Sequence, residues 1–179
     1  MQDRHDAFLA AAEIALAVES SALSSGSMDT VATVGVCEVF PGAINSIPSR
    51  VRMEVDVRDI DEARRDTALR TIGDACREIA GRRGVQVRSH LINADPPARC
   101  DPTVVDTLCQ ACATQGFSFE RMISRAYHDS LFMSRIAPAS MLFIPCRGGV
   151  SHRPDEYASP ETIAQGTLVL AEALAHLAS

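Results

Sequence analysis

The sequence predicts a chain of two domains with a mixed α+β and α/β fold, and three observations support this fold class. Helix-like and strand-like patterns alternate along the 179 residues, and 46% of these are apolar. No apolar run is long enough for a membrane-spanning helix. Residues 93–97 (NADPP) interrupt the pattern, because adjacent prolines forbid helix and weaken strand pairing. We therefore expect domains at 1–93 and 94–179, and no membrane association.

The first predicted domain has the element order α-β-β-α-β. Asp6–Leu23 carries apolar residues at helical spacing, and Asp61–Arg83 is a longer charged helix. Thr30–Phe40 and Arg50–Arg58 alternate apolar and polar residues and predict two antiparallel strands, with Val85–Leu91 as a further strand. This order is one strand short of the βαββαβ ferredoxin-like unit. We expect the missing strand to be the first one, upstream of this sequence.

The second predicted domain alternates helices with short apolar segments, as α/β folds do. Its expected elements are a helix at Asp101–Gln115, a strand at Met122–Ser124, a helix at Asp129–Ile136, a strand at Met141–Cys146 and a helix at Pro160–Ala178.

The composition excludes several functional classes. All 17 basic residues are arginine, so a lysine Schiff base, a phosphate-loop lysine and a lysine general base are excluded. The formal net charge of -6 argues against nucleic acid as a partner. The six cysteines show no disulfide framework and no signal peptide precedes the first helix, which predicts a reducing cytoplasm. Cys109 and Cys112 lie within one helical pattern, so we interpret them as core thiols.

The first candidate for chemistry is His152. It follows a predicted strand and a Gly-Gly turn, and sites of α/β folds lie on loops at the carboxyl ends of strands. A neutral imidazole there can ligate a divalent metal, with Asp155 or Glu156 orienting its other nitrogen. The alternative is a solvated loop histidine, since one histidine does not make a metal site.

The second candidate is His128, which directly precedes an apolar helix that Asp129 or Ser130 can cap. The positive end of the helix dipole favours a neutral imidazole, which can donate a hydrogen bond to a developing oxyanion. Such a donor suits acyl transfer or amide hydrolysis. The alternative is a histidine that only packs beside the cap.

The third candidate joins Asn45 and Arg58. An arginine fork and an amide donor commonly hold a carboxylate with geometric specificity. The alternative is a turn asparagine together with a strand-end arginine that pairs with Asp59 or Asp61.

Two carboxyl-terminal motifs carry a family resemblance. SRAYHDSLFMSRIAP at Ser124–Pro138 and MLFIPCRGGVSHRPDEYASPE at Met141–Glu161 resemble the metal-dependent amidohydrolases related to aminoacylase-type metallopeptidases. The relevant branch holds allantoate amidohydrolase, ureidoglycolate amidohydrolase, β-ureidopropionase and N-carbamoyl-L-amino acid hydrolase. Asp3–Ile14, Cys37–Val51 and Asp56–Arg58 extend the likeness over nearly the whole chain.

One departure within this branch bears on the substrate. Arg125 and Tyr127 stand where the allantoate and carbamoyl amino acid enzymes commonly have glycines. The resulting Ser-Arg-Ala-Tyr-His-Asp-Ser motif looks more like the ureidoglycolate amidohydrolases. The resemblance therefore implies a small ureido carboxylate substrate, with ureidoglycolate first and allantoate or an N-carbamoyl-L-amino acid next.

The resemblance also implies roles for single residues. His152 matches a ligand of a dinuclear manganese or zinc centre, and His128 matches the histidine that stabilises the tetrahedral oxyanion. Asn45 and Arg58 match lid residues that bind the substrate carboxylate, often in the partner's site. Residues 1–93 would be a lid, or dimerisation, domain that lacks its first strand. Residues 94–179 would be the carboxyl-terminal half of the catalytic domain, and the protein would be a homodimer.

Several motifs of that family have no counterpart here. These are its early His-x-Asp ligand pair, its bridging aspartate, its adjacent glutamates and its His-Ile-Glu-Gln-Gly segment. One of the glutamates should be the general base. We therefore expect the chain alone to be incomplete and inactive. The alternatives are a catalytically inactive dimerisation fragment and, less favoured, a peptidase or aminoacylase.

Overall fold

The computed structural model describes residues 3–178, and the chain forms two compact units, Met1–Pro97 and Ala98–Ser179. Unit 1 contains two helices and two strands in the order α1, β1, β2, α2. Their bounds are α1 Ala7–Leu23, β1 Val31–Phe40, β2 Arg50–Arg58 and α2 Glu62–Arg83. All four agree with the sequence predictions to within one residue at each end.

Side chains at the helix ends explain these bounds. The Asp6 carboxylate accepts hydrogen bonds from the backbone N–H groups of Phe8 and Leu9, which begins α1. Asp61 caps α2 in the same way through the N–H of Arg64, at 3.1 Å. Gly84 then ends α2 with a φ of 63°, a left-handed conformation that favours glycine.

Strands β1 and β2 form an antiparallel pair. The register runs from Val31 opposite Arg58 to Phe40 opposite Arg50, with one irregularity between Val34 and Val36. The backbone N–H of Ser49 donates to the carbonyl of Phe40 at 3.0 Å and closes the intervening loop. Both helices pack on this pair, and the core between them is formed by apolar residues of α1 and α2 with partly buried residues of the strands. The fully buried members are Ala10, Ile14, Val18 and Ile79.

The third strand predicted in unit 1 is not formed. Val85–Leu91 has no paired strand among residues 3–178. A strand is held by hydrogen bonds to a neighbour, whereas an alternating pattern describes only one chain segment at a time. The segment that follows Leu91 is held by Arg65 instead. The buried guanidinium of Arg65 donates a hydrogen bond to the backbone carbonyl of Asp95 at 2.5 Å.

Unit 2 is built on two helices, α3 Pro102–Thr114 and α5 Pro160–Leu177, which pack together through small residues. Between them lie the short helix α4 Ser130–Met133 and a single 3-10 turn at Arg147–Gly149. The buried residues at the α3–α5 contact are Ala111, Cys112, Val169 and Ala173. Cys109 and Cys112 therefore lie in one helix, with Cys112 in this core.

Three predictions for unit 2 are wrong. Met122–Ser124 and Met141–Cys146 form no sheet within the part of the chain that the structure describes, because neither finds a hydrogen-bonded partner strand. The helix expected at Asp129–Ile136 is only four residues long. The helix predictions at either end of the unit are correct to within one residue. No helix within residues 3–178 has the length and apolar character needed to cross a membrane.

Candidate functional site

His128 lies just before α4, and within residues 3–178 its side chain makes one hydrogen bond. Its Nε2 is 2.7 Å from Oγ of Ser124. The imidazole is half-buried, and its centroid lies 5.7 Å from that of the Phe143 ring, at an interplanar angle of 57°. The His128 carbonyl also accepts the backbone N–H of Leu131 at 3.0 Å. His128 is therefore a fixed, partly accessible imidazole rather than a core residue.

The helix-dipole argument for His128 fails in the structure. Helix α4 has four residues, so few peptide dipoles align behind its first turn. Asp129 occupies the N-cap position without a side-chain capping bond. Ser130 directs its hydroxyl to Sδ of Met141 at 3.1 Å instead of capping the helix. Within residues 3–178 the hydrogen bond to the His128 ring comes instead from Ser124, which the sequence interpretation overlooked.

His152 lies on an exposed loop before α5. Its φ of 59° is left-handed, which is uncommon for a residue with a side chain. The backbone N–H of His152 donates to Oε2 of Glu156 at 2.8 Å and holds this conformation. Within residues 3–178 the ring itself has no hydrogen-bond partner. The imidazole is thus available to solvent or to a group outside this chain.

The carboxylates near His152 do not orient its ring, in contrast to the sequence-based expectation. Glu156 bonds the backbone N–H of His152, and Asp155 pairs with Arg153 at 2.8 and 2.9 Å. Both carboxylates therefore accept hydrogen bonds from groups other than the imidazole of His152. Among residues 3–178, no three His, Cys, Asp or Glu side chains cluster in a way that could hold a metal ion.

Asn45 and Arg58 lie at opposite ends of the hairpin. Asn45 is exposed in the loop between β1 and β2, beyond the pair formed by Phe40 and Arg50. Arg58 is the last residue of β2, opposite Val31. Eight residue steps along a strand separate Arg50 from Arg58, about 26 Å at the usual rise. Unit 1 therefore does not bring this amide and this guanidinium to one carboxylate.

The surroundings of Arg58 also differ from the expected pairing. Its guanidinium forms an ion pair with Asp56, two residues earlier on the same strand face. Asp59 pairs with Arg64, which donates hydrogen bonds to the Asp59 carboxylate through Nη2 at 2.6 Å and through Nε at 3.0 Å. Asp61 caps α2. Arg58 is thus partly exposed beside the Asp56 carboxylate at the end of β2.

The four candidates are not joined into one cluster by contacts within either unit. No hydrogen bond or ring contact links His128 to His152 in the described part of unit 2. The two residues that the sequence interpretation missed are Ser124 and Phe143, both in contact with His128. The signal for Ser124 was its position four residues before the histidine, but such spacing is informative only inside a helix.

Comparison with known proteins decides the family. A family model described as peptidase family M20/M25/M40 matches residues 4–176. The chain belongs to this family. The resemblance carried by the two carboxyl-terminal motifs is thereby confirmed.

The relatives found by sequence include hydrolases that act on C–N bonds. Ureidoglycolate hydrolases of Arabidopsis thaliana and of rice, Oryza sativa subsp. japonica, are each 53% identical over 178 residues, which is 99% of this chain and 37% of the relative. An N-carbamoyl-L-amino-acid amidohydrolase of Pseudomonas sp. (strain NS671) is 33% identical over 174 residues, covering 97% of this chain and 42% of the relative. The chain thus spans well under half the length of these relatives.

Solved structures share the mixed α/β fold. AtUAH in complex with (S)-hydroxyglycine has a TM-score of 0.94 and 53% sequence identity, covering 99% of this chain and 42% of that one. An amidase of the hydantoinase/carbamoylase family from Burkholderia vietnamiensis has a TM-score of 0.92 and 33% identity, covering 97% and 42%. The fold class predicted from the sequence agrees with these structures at the level of a mixed α/β chain.

Proposed function

We propose that this chain is part of an amidohydrolase that cleaves a C–N bond of a ureido carboxylate, with ureidoglycolate as the first candidate. The observation that carries the proposal is the 53% identity to two ureidoglycolate hydrolases across 99% of the chain. The carbamoyl amino acid relative is only 33% identical. Allantoate and N-carbamoyl-L-amino acids are therefore the next substrates to test.

The chemistry of the proposed substrate agrees with the ligands of the similar structures. Water adds to the ureido carbonyl carbon and one of the two C–N bonds of that carbonyl breaks, while the C–N bond to the glycolate carbon stays intact. The carbamic acid that results loses carbon dioxide. The products are hydroxyglycine, ammonia and carbon dioxide, and loss of ammonia from hydroxyglycine gives glyoxylate. AtUAH has been solved with (S)-hydroxyglycine and with glyoxylate. Both compounds retain the carboxylate that a specific site should bind.

In this proposal His128 stabilises the oxyanion that forms on the carbonyl oxygen. Its half-buried ring is fixed by Ser124 and packed against Phe143, so it can present a hydrogen-bond donor without reorganising. A donor aimed at the developing charge stabilises the transition state more than the substrate, and therefore acts on kcat.

Asn45 and Arg58 bind the substrate carboxylate in this proposal. Because the two residues lie at opposite ends of the hairpin, one carboxylate would receive them from different protomers of a homodimer. Residues 1–93 then act as the lid and dimerisation domain, a ferredoxin-like unit without its first strand. Residues 94–179 form the carboxyl-terminal part of the catalytic domain. The separation into two compact units next to the NADPP segment supports this division.

The family resemblance implies two divalent metal ions, manganese or zinc, which would activate the attacking water. The described residues do not fit such a centre by themselves, since no three potential ligands cluster. His152 offers one exposed imidazole toward it. We therefore assign His152 as a single ligand and derive no catalytic step through the metals.

The second candidate is a catalytically inactive dimerisation fragment. The same observation favours it, because within residues 3–178 no set of side chains could hold a metal ion. As to location, we propose the cytoplasm, and the six free thiols support a reducing compartment.

A chimera tests the proposal against this second candidate. The part of the Arabidopsis ureidoglycolate hydrolase that precedes its matched segment is joined to residues 1–179. Ammonia release is then measured with ureidoglycolate, allantoate and an N-carbamoyl-L-amino acid. We expect release from ureidoglycolate and a loss of about 100-fold in kcat for His128→Gln, the scale of a lost oxyanion donor. A folded chimera without activity on any of the three would favour the inactive fragment.

A further inference from the structure

The contact between Ser124 and His128 bears on which ring nitrogen of the imidazole carries a proton. Oγ of Ser124 lies 2.7 Å from Nε2, and both residues are half-buried. Within residues 3–178 no other hydrogen bond reaches the His128 ring. The protonation of the two ring nitrogens is set by the hydrogen bond that one of them makes. Ser124 is therefore the group that decides which nitrogen of His128 carries the proton.

The backbone at Ala126 gives this hydrogen bond its direction. The N–H of Ala126 points to Oγ of Ser124 at 3.4 Å, in the local turn that serine side chains favour. A hydroxyl has one proton to donate and two lone pairs that accept. Ala126 approaches one lone pair. If the other lone pair accepted from Nε2, the hydroxyl proton would have no acceptor among residues 3–178, whereas donation to Nε2 satisfies it. This favours a serine that donates and an Nε2 that accepts, and such a bond leaves the proton of the neutral ring on Nδ1.

We propose that Ser124 is a positioning residue that keeps neutral His128 in the Nδ1–H tautomer. Nδ1 is then the donor that faces the oxyanion of the ureido carbonyl, a step that rests on the proposed function. The tautomer itself does not rest on that function. With the opposite tautomer the ring would present a lone pair where the negative charge develops, and the interaction would become repulsive.

Phe143 supports the same arrangement. Its ring lies against the imidazole at a centroid distance of 5.7 Å and restricts rotation of the histidine side chain. A ring flip would exchange the positions of Nδ1 and Cδ2 and remove Nε2 from Ser124. In this proposal the hydroxyl sets the tautomer of His128 and the phenyl ring limits rotation of its side chain.

The tautomer can be measured by NMR on the chain of 179 residues, without substrate or metal. The protein is labelled with 15N-histidine, and His128→Gln assigns the His128 signals among those of the five histidines. Long-range 1H–15N correlations at a pH where the ring is neutral then show which nitrogen is protonated. We expect a protonated Nδ1 and an unprotonated Nε2. A protonated Nε2 in the unaltered chain overturns the proposal without any variant.

Two variants and a control test whether Ser124 is the cause. In Ser124→Ala we expect a mixture of tautomers, whereas Ser124→Thr keeps the hydroxyl and should keep Nδ1–H. The control is Ser134→Ala, which removes a half-buried hydroxyl from the nearby residue that follows α4 and bonds the Leu131 carbonyl. In Ser134→Ala, the tautomer of His128 should match that of the unaltered chain. Retention of a pure Nδ1–H tautomer in Ser124→Ala contradicts the assigned role.

The chimera separates failure of this inference from failure of the proposed function. In the chimera, Ser124→Ala should lower kcat by about 10–100-fold with little change in KM. Ser124→Thr should retain the kcat of the unaltered chimera. If His128→Gln is inactive but Ser124→Ala retains full kcat, the function stands and the positioning role fails. If the tautomer depends on Ser124 but His128→Gln keeps full kcat, the oxyanion assignment fails instead.

Discussion

Arg64 holds the carboxylate of Asp59 with two parallel hydrogen bonds, Nη2 to Oδ1 at 2.6 Å and Nε to Oδ2 at 3.0 Å. The hydroxyl of Thr30 adds a third bond at 2.6 Å and the backbone N–H of Asp61 a fourth at 2.7 Å. The side chain of Asp59 is fully buried. This network ties the start of β1 to the start of α2, directly after Arg58.

The first prediction concerns the stability that Asp59 provides. Hydrogen bonds from Arg64 first, then from Thr30 and the Asp61 backbone, outweigh burial and lower the pKa of Asp59 from 3.8 to about 2. Asp59→Asn should therefore reduce the free energy of unfolding by about 2 kcal/mol at neutral pH, measured by urea denaturation. Because the pKa of Asp59 is lower in the folded chain than in the unfolded chain, the carboxylate contributes its full share of the unfolding free energy above pH 3.8. This contribution is lost as the pH falls toward 2.

The matched control is Asp74→Asn. Asp74 pairs with Arg77 on α2, but the two side chains are 68% and 76% exposed. We expect a change below about 0.5 kcal/mol, as for most surface ion pairs. An equal loss in both variants, or a loss for Asp59→Asn that persists unchanged to pH 2, would contradict the account of Asp59.

The second prediction concerns the ion pairs between α1 and α2. Glu13 accepts from Nη2 of Arg82 at 2.5 Å and from Nε of Arg83 at 2.9 Å, and these bonds lower its pKa from 4.5 to about 2. Glu13→Gln should lower the melting temperature, most clearly at low ionic strength, because all three side chains are partly exposed. The effect should fade as the pH falls from 4.5 toward 2.

Thermal melts followed by circular dichroism at low and high salt test this prediction. Glu19→Gln, an exposed change on the same helix, is the control and should leave the melting temperature unaltered. The ion-pair explanation fails if Glu13→Gln lowers the melting temperature by the same amount at both salt concentrations.

The third prediction concerns the α3–α5 contact of unit 2. Ala111 is fully buried there and Ala173 is 1% exposed, so the two helices approach through small side chains. Ala111→Leu should push the helices apart and cost about 1–3 kcal/mol in urea unfolding. Ala113→Leu, at an exposed position of α3, should be nearly neutral. Equal stability of the two variants would mean that the contact yields without strain.

The fourth prediction concerns oligomeric state. Among the described residues, β1 and β2 pair only with each other, so each strand has one edge without a partner. Unpaired edges favour association with a second chain. Light scattering should therefore give about twice the chain mass of 19.2 kDa. A monomer that remains stable at high protein concentration would contradict the proposed homodimer.

The sequence predicted those elements whose formation depends on local pattern. The two long helices and two strands of unit 1 have strong periodicity and capping residues such as Asp6 and Asp61, and their bounds were correct within a residue. Val85–Leu91 and Met141–Cys146 have the composition of strands but no partner among the described residues. Pairing is a property of two segments, so the pattern of one segment cannot decide it.

The side-chain pairings of the candidate site were harder to predict for the same reason. Arg58 had several carboxylates within a few residues, and strand alternation placed it beside Asp56. Asp59 lies beyond the strand, where the first turn of α2 brings Arg64 to it. The partnership of Ser124 with His128 depends on a turn outside any helix. These contacts require the folded backbone.

The last prediction concerns metal binding by the chain itself. Calorimetric titration with Mn²⁺, which prefers oxygen and imidazole ligands over thiolates, should show no tight stoichiometric binding. The reason is that residues 3–178 contain no cluster of three potential ligands around His152 or elsewhere. The His152→Ala variant should give the same trace. Stoichiometric binding that His152→Ala abolishes would show that a site assembles from these residues, for example across a dimer. That result would contradict the argument from missing ligands and would assign His152 as a metal ligand of this chain.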